Sequence, residues 1–216
     1  KNQIRVHAWI NMMYIWAGNR TPDSGGHVFF TSPMAILRTA YQKDIPAYRD
    51  IRSENIEGYF IHPTDPVHLD EIRRTVGRLM SHFSFDGIHL DYFRLPSLKY
   101  SFSPLGRTRF IQNHFIDPVK VYADPERFIV QRGKDSYLFA DIVYKDFIRQ
   151  ELTVALSHIR DIVATGKDNF VLSIAVKPDP INARHQYFQD WAYWLQEGLC
   201  DQVLIMNYTT DFDAFK

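Results

Sequence analysis

Four short apolar segments, separated by stretches with helical spacing, constrain the fold of this chain more than any other feature. They are residues 4–10, 86–92, 170–176 and 202–208. The last two read FVLSIAV and QVLIMNY, and such nearly continuous apolar runs are typical of parallel strands covered on both faces. Strands that alternate with helices predict an α/β protein with a parallel sheet, in which sequential strands lie side by side.

Apolar residues at helical spacing predict four helices between these strands. Two begin at the Ser-Pro pair 32–33 and the Asp-Pro pair 65–66, and two cover about 138–164 and 184–197. Each pair places a capping residue before proline at the first helical position. Residues 57–63 predict a fifth, weaker strand or an extended loop.

The connection from residue 97 to 136 is unusually long and is rich in Pro, Phe, Tyr and Arg. Long loops in compact domains are usually lids or binding loops. Because this segment follows directly on the second strand, we expect an inserted loop at 97–136 that folds over the C-terminal ends of the strands. Its aromatic residues Tyr100, Phe102 and Phe110 are then expected to wall a cleft.

Composition argues against several classes of partner. Lys plus Arg equals Asp plus Glu at 25 each, so net charge gives no reason to expect nucleic acid or an anionic membrane. The longest apolar runs fall far short of the ~20 residues of a membrane span. Cys200 is the single cysteine and no zinc-type Cys/His spacing occurs, so we expect no disulfide, metal or cofactor. The many aromatic residues suit either a large core or a sugar-stacking cleft.

Asp91 stands at the end of the second strand, within the stretch FDGIHLDYFRLP at residues 85–96. Ligands of parallel α/β folds bind at the C-terminal ends of the strands. A buried carboxylate without a partner is costly. Asp91 is therefore either a functional residue or a structural one that caps a loop or pairs with Arg94. Asp86, in the turn before the strand, is interpreted as structural.

The stretch DGIHLDYFRLP resembles the DGIHLDYIRYP signature of the bacterial proteins called glycosyl hydrolase-like family 10. The resemblance covers nearly the whole chain, through VHAWIN, HPTDP, SFSPLGRTRF, DFIRQELTVAL, LSIAVKPD and DQVLIMNY. It implies a (β/α)8 TIM-barrel glycosidase that acts on bacterial glycans, of which a peptidoglycan-type glycan is one possibility. It also implies a cell-envelope setting, so a periplasmic, cell-surface or secreted location is expected.

A barrel of this type has eight strands, whereas this sequence offers four good ones and a weak one. Residues 1–216 are therefore interpreted as a single barrel domain or fragment, an incomplete segment of the barrel that corresponds to about strands 3 to 6. The remaining barrel strands are expected outside this piece.

The chitinase-like family 18 hydrolases provide a second comparison, through their DGxDxDxE strand and later Met-x-Tyr-Asp motif. This chain has DGIHLDYF and MNYT at similar spacing. Asp91 then matches the last aspartate of the strand, but Phe93 occupies the position of the catalytic glutamate. Because phenylalanine cannot donate a proton, a chitinase mechanism in that form is not expected.

Glycoside hydrolysis ordinarily uses two carboxyl groups that flank the scissile bond. Asp91 is predicted to be one of them. Asp179, just beyond the third strand, is predicted to be the other, although its KPDP context is also a natural turn. Asp211 is the next choice, and an acid on a strand outside this chain is an alternative equal to Asp179 and Asp211 together.

Further side chains near the strand ends are predicted to bind an oligo- or polysaccharide substrate: His7, Trp9, Asn11, His89, Tyr92, Arg94, Asn207, Tyr208 and Asp211. His89 is expected to hold Asp91 by a hydrogen bond or to tune its pKa. Arg94 is expected either to pair with Asp91 or to hold an anionic substituent. Trp191 and Trp194 are interpreted as core residues.

Two other functions fit parts of this pattern. A non-catalytic glycan-binding barrel would keep the aromatic residues and Asn11 but could lose the carboxylate pair. A metal-dependent amidohydrolase or deacetylase would need clustered His and Asp ligands at the strand ends. His7 and Asp91 could contribute to such a cluster, but HAW lacks the second histidine of an HxH start.

Overall fold

The computed structural model describes residues 4–166 and 169–210. In chain order its elements are β1 (His7–Asn11), β2 (Tyr14–Trp16), α1 (Val28–Thr31), α2 (Tyr48–Ser53), β3 (Tyr59–Phe60), α3 (Pro66–His82), β4 (Gly87–Asp91), α4 (Pro104–His114), α5 (Pro118–Tyr122), α6 (Pro125–Arg132), α7 (Lys134–Ala164), β5 (Val171–Val176), α8 (Pro180–Gln186), α9 (Trp191–Gln196) and β6 (Gln202–Ile205). Strands β1, β4, β5 and β6 form one parallel sheet in that order. The predicted α/β class and the predicted strand order are confirmed. This sheet is compatible with part of a barrel, and an eight-stranded barrel stays a prediction.

The strands are shorter than the apolar runs that predicted them. β1 begins at His7, and of the apolar residues before it Ile4 is 81% exposed and Val6 is 52% exposed. β6 ends at Ile205 rather than 208. The weak segment at 57–63 contributes only Tyr59–Phe60, which pairs antiparallel with β2 outside the parallel sheet.

The helix predicted to begin at Ser32–Pro33 is wrong. The Ser32 hydroxyl donates a hydrogen bond to the Asp65 carboxylate (2.9 Å) instead of capping a helix that follows it. After a turn, Ile36 bridges to Ile61 and Arg38 bridges to Phe102. Burial of Ile36, which is 0% exposed, and pairing with these distant segments outweigh the local helix signal.

Two predicted helices are confirmed and a third is divided. Helix α3 begins after Asp65, whose carboxylate accepts from the His68 N–H, and α7 covers the predicted 138–164 while beginning four residues earlier. The helix predicted at 184–197 consists of α8 and α9. Phe188 lies between them with φ at 60°, a left-handed conformation that interrupts a right-handed helix.

Residues 97–136 contain three helices and the start of α7, and they are not a loop. Helices α4, α5 and α6 begin after Ser103, Asp117 and Asp124, each followed by proline. These are the same start signals that identified α3, so this part of the architecture was readable from the sequence.

The aromatic residues of this segment do not wall a cleft, so that expectation is wrong. Tyr100 and Phe102 are 4% exposed and Phe110 is 0% exposed. Phe102 stacks on Tyr144 of α7 at 5.0 Å, and Phe110 meets the same ring edge-on at 5.2 Å. These rings join the inserted helices to the core instead.

The two faces of the parallel sheet differ in burial. One face carries fully buried apolar side chains, Ile88, Leu90, Leu172, Ile174 and Val176, which belong to the same core cluster as residues of α3 and α7. Trp9 and Leu204 on the opposite face are 63% and 47% exposed. The polar residues predicted to be functional follow this second face.

A buried polar cluster joins three of the stretches that carry the family resemblance. Arg109 of α4 donates two hydrogen bonds of 3.0 Å to Glu151 of α7, and Glu151 also accepts from the Thr64 hydroxyl. His62 lies beside Thr64, 0% exposed. A side chain at Gly106 would place its Cβ 2.5 Å from His62 Nε2, so only glycine fits there without movement.

We expect the free energy of unfolding to fall as the pH is lowered through the range set by His62. Burial lowers the pKa of His62 from 6.5 to about 4. The unfolded chain therefore takes up this proton below about pH 6.5, whereas the folded protein resists protonation until near pH 4. The contribution of His62 to the free energy of unfolding is complete above pH 6.5 and decreases below it. At pH 5 the free energy of unfolding should be lower by about 2 kcal/mol than at pH 7.

Urea unfolding at pH 7 and pH 5 measures this loss. The variant His62→Gln should show a smaller difference between the two pH values than the wild type. The matched variant His82→Gln removes an exposed histidine at the end of α3 and should leave the difference unchanged. An unaltered pH dependence in His62→Gln would contradict this assignment.

Candidate active site at the strand ends

Asp91 is the last residue of β4 and lies opposite Asn11, the last residue of β1. Its side chain is partly exposed, and one carboxylate oxygen accepts a 2.6 Å hydrogen bond from the N–H of Tyr92. The Asp91 carbonyl accepts from the N–H of Met12 (2.9 Å). The strand pairing thus continues to the end of β4, and Asp91 presents a carboxylate at the C-terminal edge of the sheet.

The chain changes direction directly after Asp91. Tyr92 adopts a φ of 50°, a left-handed conformation that is uncommon for aromatic residues. Phe93 is consequently fully buried and packs against Trp194 at 5.4 Å between ring centroids. The position that matches the chitinase glutamate therefore lies in the core, and Trp194 is the core residue that its spacing predicted.

His89 lies two residues before Asp91, on the same face of β4. Its Nδ1 is 3.0 Å from the Ser173 hydroxyl, which is 3.4 Å from the Ile88 carbonyl. Because a carbonyl can only accept, both contacts are satisfied when His89 Nδ1–H donates to Ser173 and the hydroxyl donates to Ile88. Burial lowers the pKa of His89, an effect that the nearby Asp91 partly opposes. Burial thus favours the neutral form of His89 beside Asp91.

Arg94 pairs with Glu57 and not with Asp91, while its predicted role in holding an anionic substituent stays a prediction. Its guanidinium donates to the carboxylate of Glu57 at 2.9 Å, and its side chain is 6% exposed. Three aromatic rings surround it, with centroids 5.7 Å away at Phe60, 5.1 Å at Tyr92 and 5.5 Å at Tyr187. Cation–π contacts and the ion pair together fix Arg94 in place.

Tyr92 and Tyr14 form a partly exposed aromatic pair beside Asp91, with stacked rings 4.7 Å apart. The pKa of Tyr92 is raised, first by burial and then by the charge of Glu57, with smaller contributions from Asp91 and Tyr208. These four groups therefore share one neighbourhood. Tyr208, 89% exposed, adds a free aromatic face to it.

Lys177 follows the last residue of β5 and belongs to the same group of side chains. Its ammonium lies 4.9 Å above the ring of Tyr187. The pKa of Lys177 is lowered, first by burial and then by the positive charge of Arg94, while Glu57 and Asp91 oppose the shift. The sequence analysis singled out neither Lys177 nor Glu57, although the place of Lys177 directly after a predicted strand was a usable signal.

Gln189 connects the loops that carry these cations. Its side-chain amide donates to the carbonyls of Phe93 (3.2 Å) and Ala175 (3.0 Å), and its oxygen accepts from the N–H of Lys177 (3.0 Å). Gln189 is 0% exposed. A single buried amide therefore sets the spacing between the ends of β4 and β5.

The remaining predicted site residues lie in different places. Asn11 is exposed at the end of β1, and Asn207 follows β6. Trp9 contacts His89 edge-on at 4.6 Å. His7 pairs with Gly87 at the opposite end of the strand, roughly 13 Å from Asn11 at the usual rise per residue. The substrate roles of these residues stay predictions.

The predicted second carboxyl groups are not joined to this cluster by any described contact. Asp179 is exposed, and its carboxylate caps α8 by accepting from the N–H of Ile181 at 2.9 Å. Asp179 therefore has a structural role as a helix cap rather than as part of a turn, and its catalytic role stays a prediction. Asp211 lies outside the described residues.

A cavity of about 1130 Å³ lies elsewhere, among α5, α6 and the start of α7. Its lining includes Phe115 and Phe139, which are 91% and 61% exposed. The cavity is not lined by any residue of the strand-end cluster, which comprises Asp91, Tyr92, Arg94, Lys177, Glu57, Tyr14, Tyr187 and Gln189. We place the candidate site at the strand ends because titratable groups with shifted pKa values converge there beside a carboxylate.

Within residues 4–166 and 169–210, no helix is both long and apolar enough to cross a membrane. The same residues contain no group of three or more His, Cys, Asp or Glu side chains arranged to hold a metal ion.

Comparison with known proteins gives one family match. The family model described as Glycosyl hydrolase-like 10 matches residues 1–216. A search of curated proteins returned no match.

Proposed function

The chain belongs to the glycosyl hydrolase-like 10 family, and from this premise we propose that it is a glycoside hydrolase with Asp91 as a catalytic carboxyl group. The observation that carries the proposal is the position of Asp91, whose partly exposed carboxylate ends a central strand of the parallel sheet. Ligands of such folds bind at this edge. A TIM-barrel setting for the sheet is part of the same proposal.

The proposed reaction is cleavage of an O-glycosidic bond in an oligo- or polysaccharide. One carboxyl group protonates the leaving oxygen, and the other attacks the anomeric carbon or activates water. Asp91 supplies one of these groups. Glu57 is the preferred second group because Arg94, three residues after Asp91, holds its carboxylate by a 2.9 Å hydrogen bond. Asp179, Asp211 and an acid on a strand outside this chain remain the alternatives.

Aromatic rings and amides around Asp91 suit a sugar ligand. Tyr208 offers an exposed ring face, and the stacked, partly exposed pair of Tyr14 and Tyr92 adds hydroxyl groups beside it. Such a combination stacks on sugar rings and bonds to their hydroxyls. Asn11, opposite Asp91, can donate to and accept from a sugar hydroxyl. A bacterial cell-envelope glycan, met in the periplasm, at the cell surface or outside the cell, is the substrate we propose.

The proposal is tested by incubating the purified protein with a panel of peptidoglycan-derived, chitin-derived and uronic-acid glycans. We expect new reducing ends from at least one of them. Binding of a glycan without any cleavage across the panel would favour the non-catalytic alternative and contradict the proposed hydrolase.

A further inference from the structure

We propose that Lys177 binds a carboxylate carried by the sugar substrate and makes the site selective for acidic glycans. The inference rests on the proposed function, because it assigns a substrate class to the same strand-end cluster. It concerns a residue that the sequence patterns had not marked as functional.

The cluster contains two cations, and only one of them is already engaged by a close carboxylate. Arg94 is paired with Glu57 at 2.9 Å and enclosed by three aromatic rings. Its charge is therefore compensated within the protein. For Lys177, no carboxylate of the described residues lies within 4.0 Å of the ammonium. The Lys177 nitrogen therefore has N–H donors for a ligand.

Lys177 lies at the same edge of the sheet as Asp91, because β4 and β5 are paired neighbours and Asp91 and Lys177 follow one and three residues beyond the pair Leu90–Ile174. Its backbone N–H is held by Gln189 at 3.0 Å, and its ammonium rests 4.9 Å over the Tyr187 ring. Both Asp91 and Glu57 act on its charge. A sugar bound at Asp91 thus has Lys177 within its surroundings.

An acidic sugar needs such a cation at this place. The carboxylates of Asp91 and Glu57 would repel a third negative charge that entered alone, and like charges in one site are unfavourable. A free ammonium offsets that repulsion and forms a charge-assisted hydrogen bond with the incoming carboxylate. Burial and Arg94 disfavour the charge of Lys177 in the unliganded protein, and an anionic ligand would relieve that cost.

The test compares binding of a carboxylated glycan with binding of the same glycan after its carboxyl groups are amidated. Peptide-free GlcNAc–MurNAc strands and a uronic-acid polymer serve as two separate sources of the carboxylate. Binding is measured by calorimetry on the Asp91→Asn protein, so that the glycan is not consumed. We expect at least one carboxylated form to bind roughly tenfold or more tightly than its amidated form.

In the double variant Asp91→Asn/Lys177→Met, the ratio of the two affinities, carboxylated to amidated, should fall to about one. Met is about as long as the Lys side chain but lacks its charge. Lys134→Met, at the exposed start of α7, is the matched control and should keep the ratio. Because the folded environment disfavours the Lys177 charge, Lys177→Met should not lower the unfolding temperature.

Three outcomes would overturn the inference: equal binding of both glycan forms, an unchanged ratio in Lys177→Met, or no binding of either form. Failure of the proposed function is recognised separately, because it appears as absence of cleavage by the wild-type protein. Hydrolysis of neutral glycans together with an unchanged ratio would refute the role of Lys177 and leave the proposed hydrolase intact.

Discussion

Replacement of Asp91 by Asn is expected to reduce glycan hydrolysis by roughly 10²–10⁴-fold, the range that general acid–base catalysis supplies. Asn has nearly the same shape, and its side-chain oxygen can still accept from the N–H of Tyr92, the 2.6 Å contact that Asp91 makes. It cannot give or take a proton at neutral pH, nor act as a carboxylate nucleophile. Activity should therefore fall while the fold is retained.

Initial rates of reducing-end release measure this effect, with thermal unfolding as the check on folding. Asp161→Asn, on the exposed surface of α7, makes the same chemical change away from the strand ends and should keep the wild-type rate. Glu57→Gln and Asp179→Asn, compared in the same assay, identify the second carboxyl group. Near-normal rates in folded Asp91→Asn protein would show that Asp91 has only a structural role.

Replacement of Gln189 by Leu is expected to destabilise the protein by about 3 kcal/mol or more. The side-chain amide of Gln189 satisfies the Phe93 and Ala175 carbonyls and the Lys177 N–H. Leu fills a similar volume but leaves these groups without their partner, and each unsatisfied buried group costs roughly 1–3 kcal/mol. The loss should also loosen the loops that carry Arg94 and Lys177, so activity should decrease with stability.

Urea unfolding gives the free energy for the Gln189→Leu protein. Gln186→Leu, an exposed position at the end of α8, is the matched control and should change stability by no more than about 0.5 kcal/mol. An equal, small effect in both variants would mean that the Gln189 amide does not hold the ends of β4 and β5 together.

The strand order and the place of Asp91 were predictable because both depend on local patterns. Apolar runs identify the strands, intervening helices make them parallel, and the last polar residue of a run falls at the sheet edge. The Asp-Pro signal likewise located α3. The equivalent Ser-Pro signal at 32–33 failed because Ile36 and Arg38 pair with residues far along the chain.

The electrostatic partners of the site could not be predicted in the same way. Glu57 precedes a two-residue strand and contacts Arg94, which lies 37 positions further along the chain, only once the intervening segment is folded. The environment of Lys177 is formed by Tyr187 and Gln189, which lie beyond helix α8. No periodicity in the sequence encodes such contacts, since they depend on how separate loops pack at one edge of the sheet.

Hydrolysis in water enriched in the heavy oxygen isotope tests the central claim most directly. A glycoside hydrolase transfers one oxygen atom from water to the sugar, so mass spectrometry should find one heavy oxygen at each new reducing end. The Asp91→Asn protein should form far less of this labelled product than the wild type. Heavy oxygen released in acetate from an intact glycan chain would instead identify a deacetylase and contradict the account.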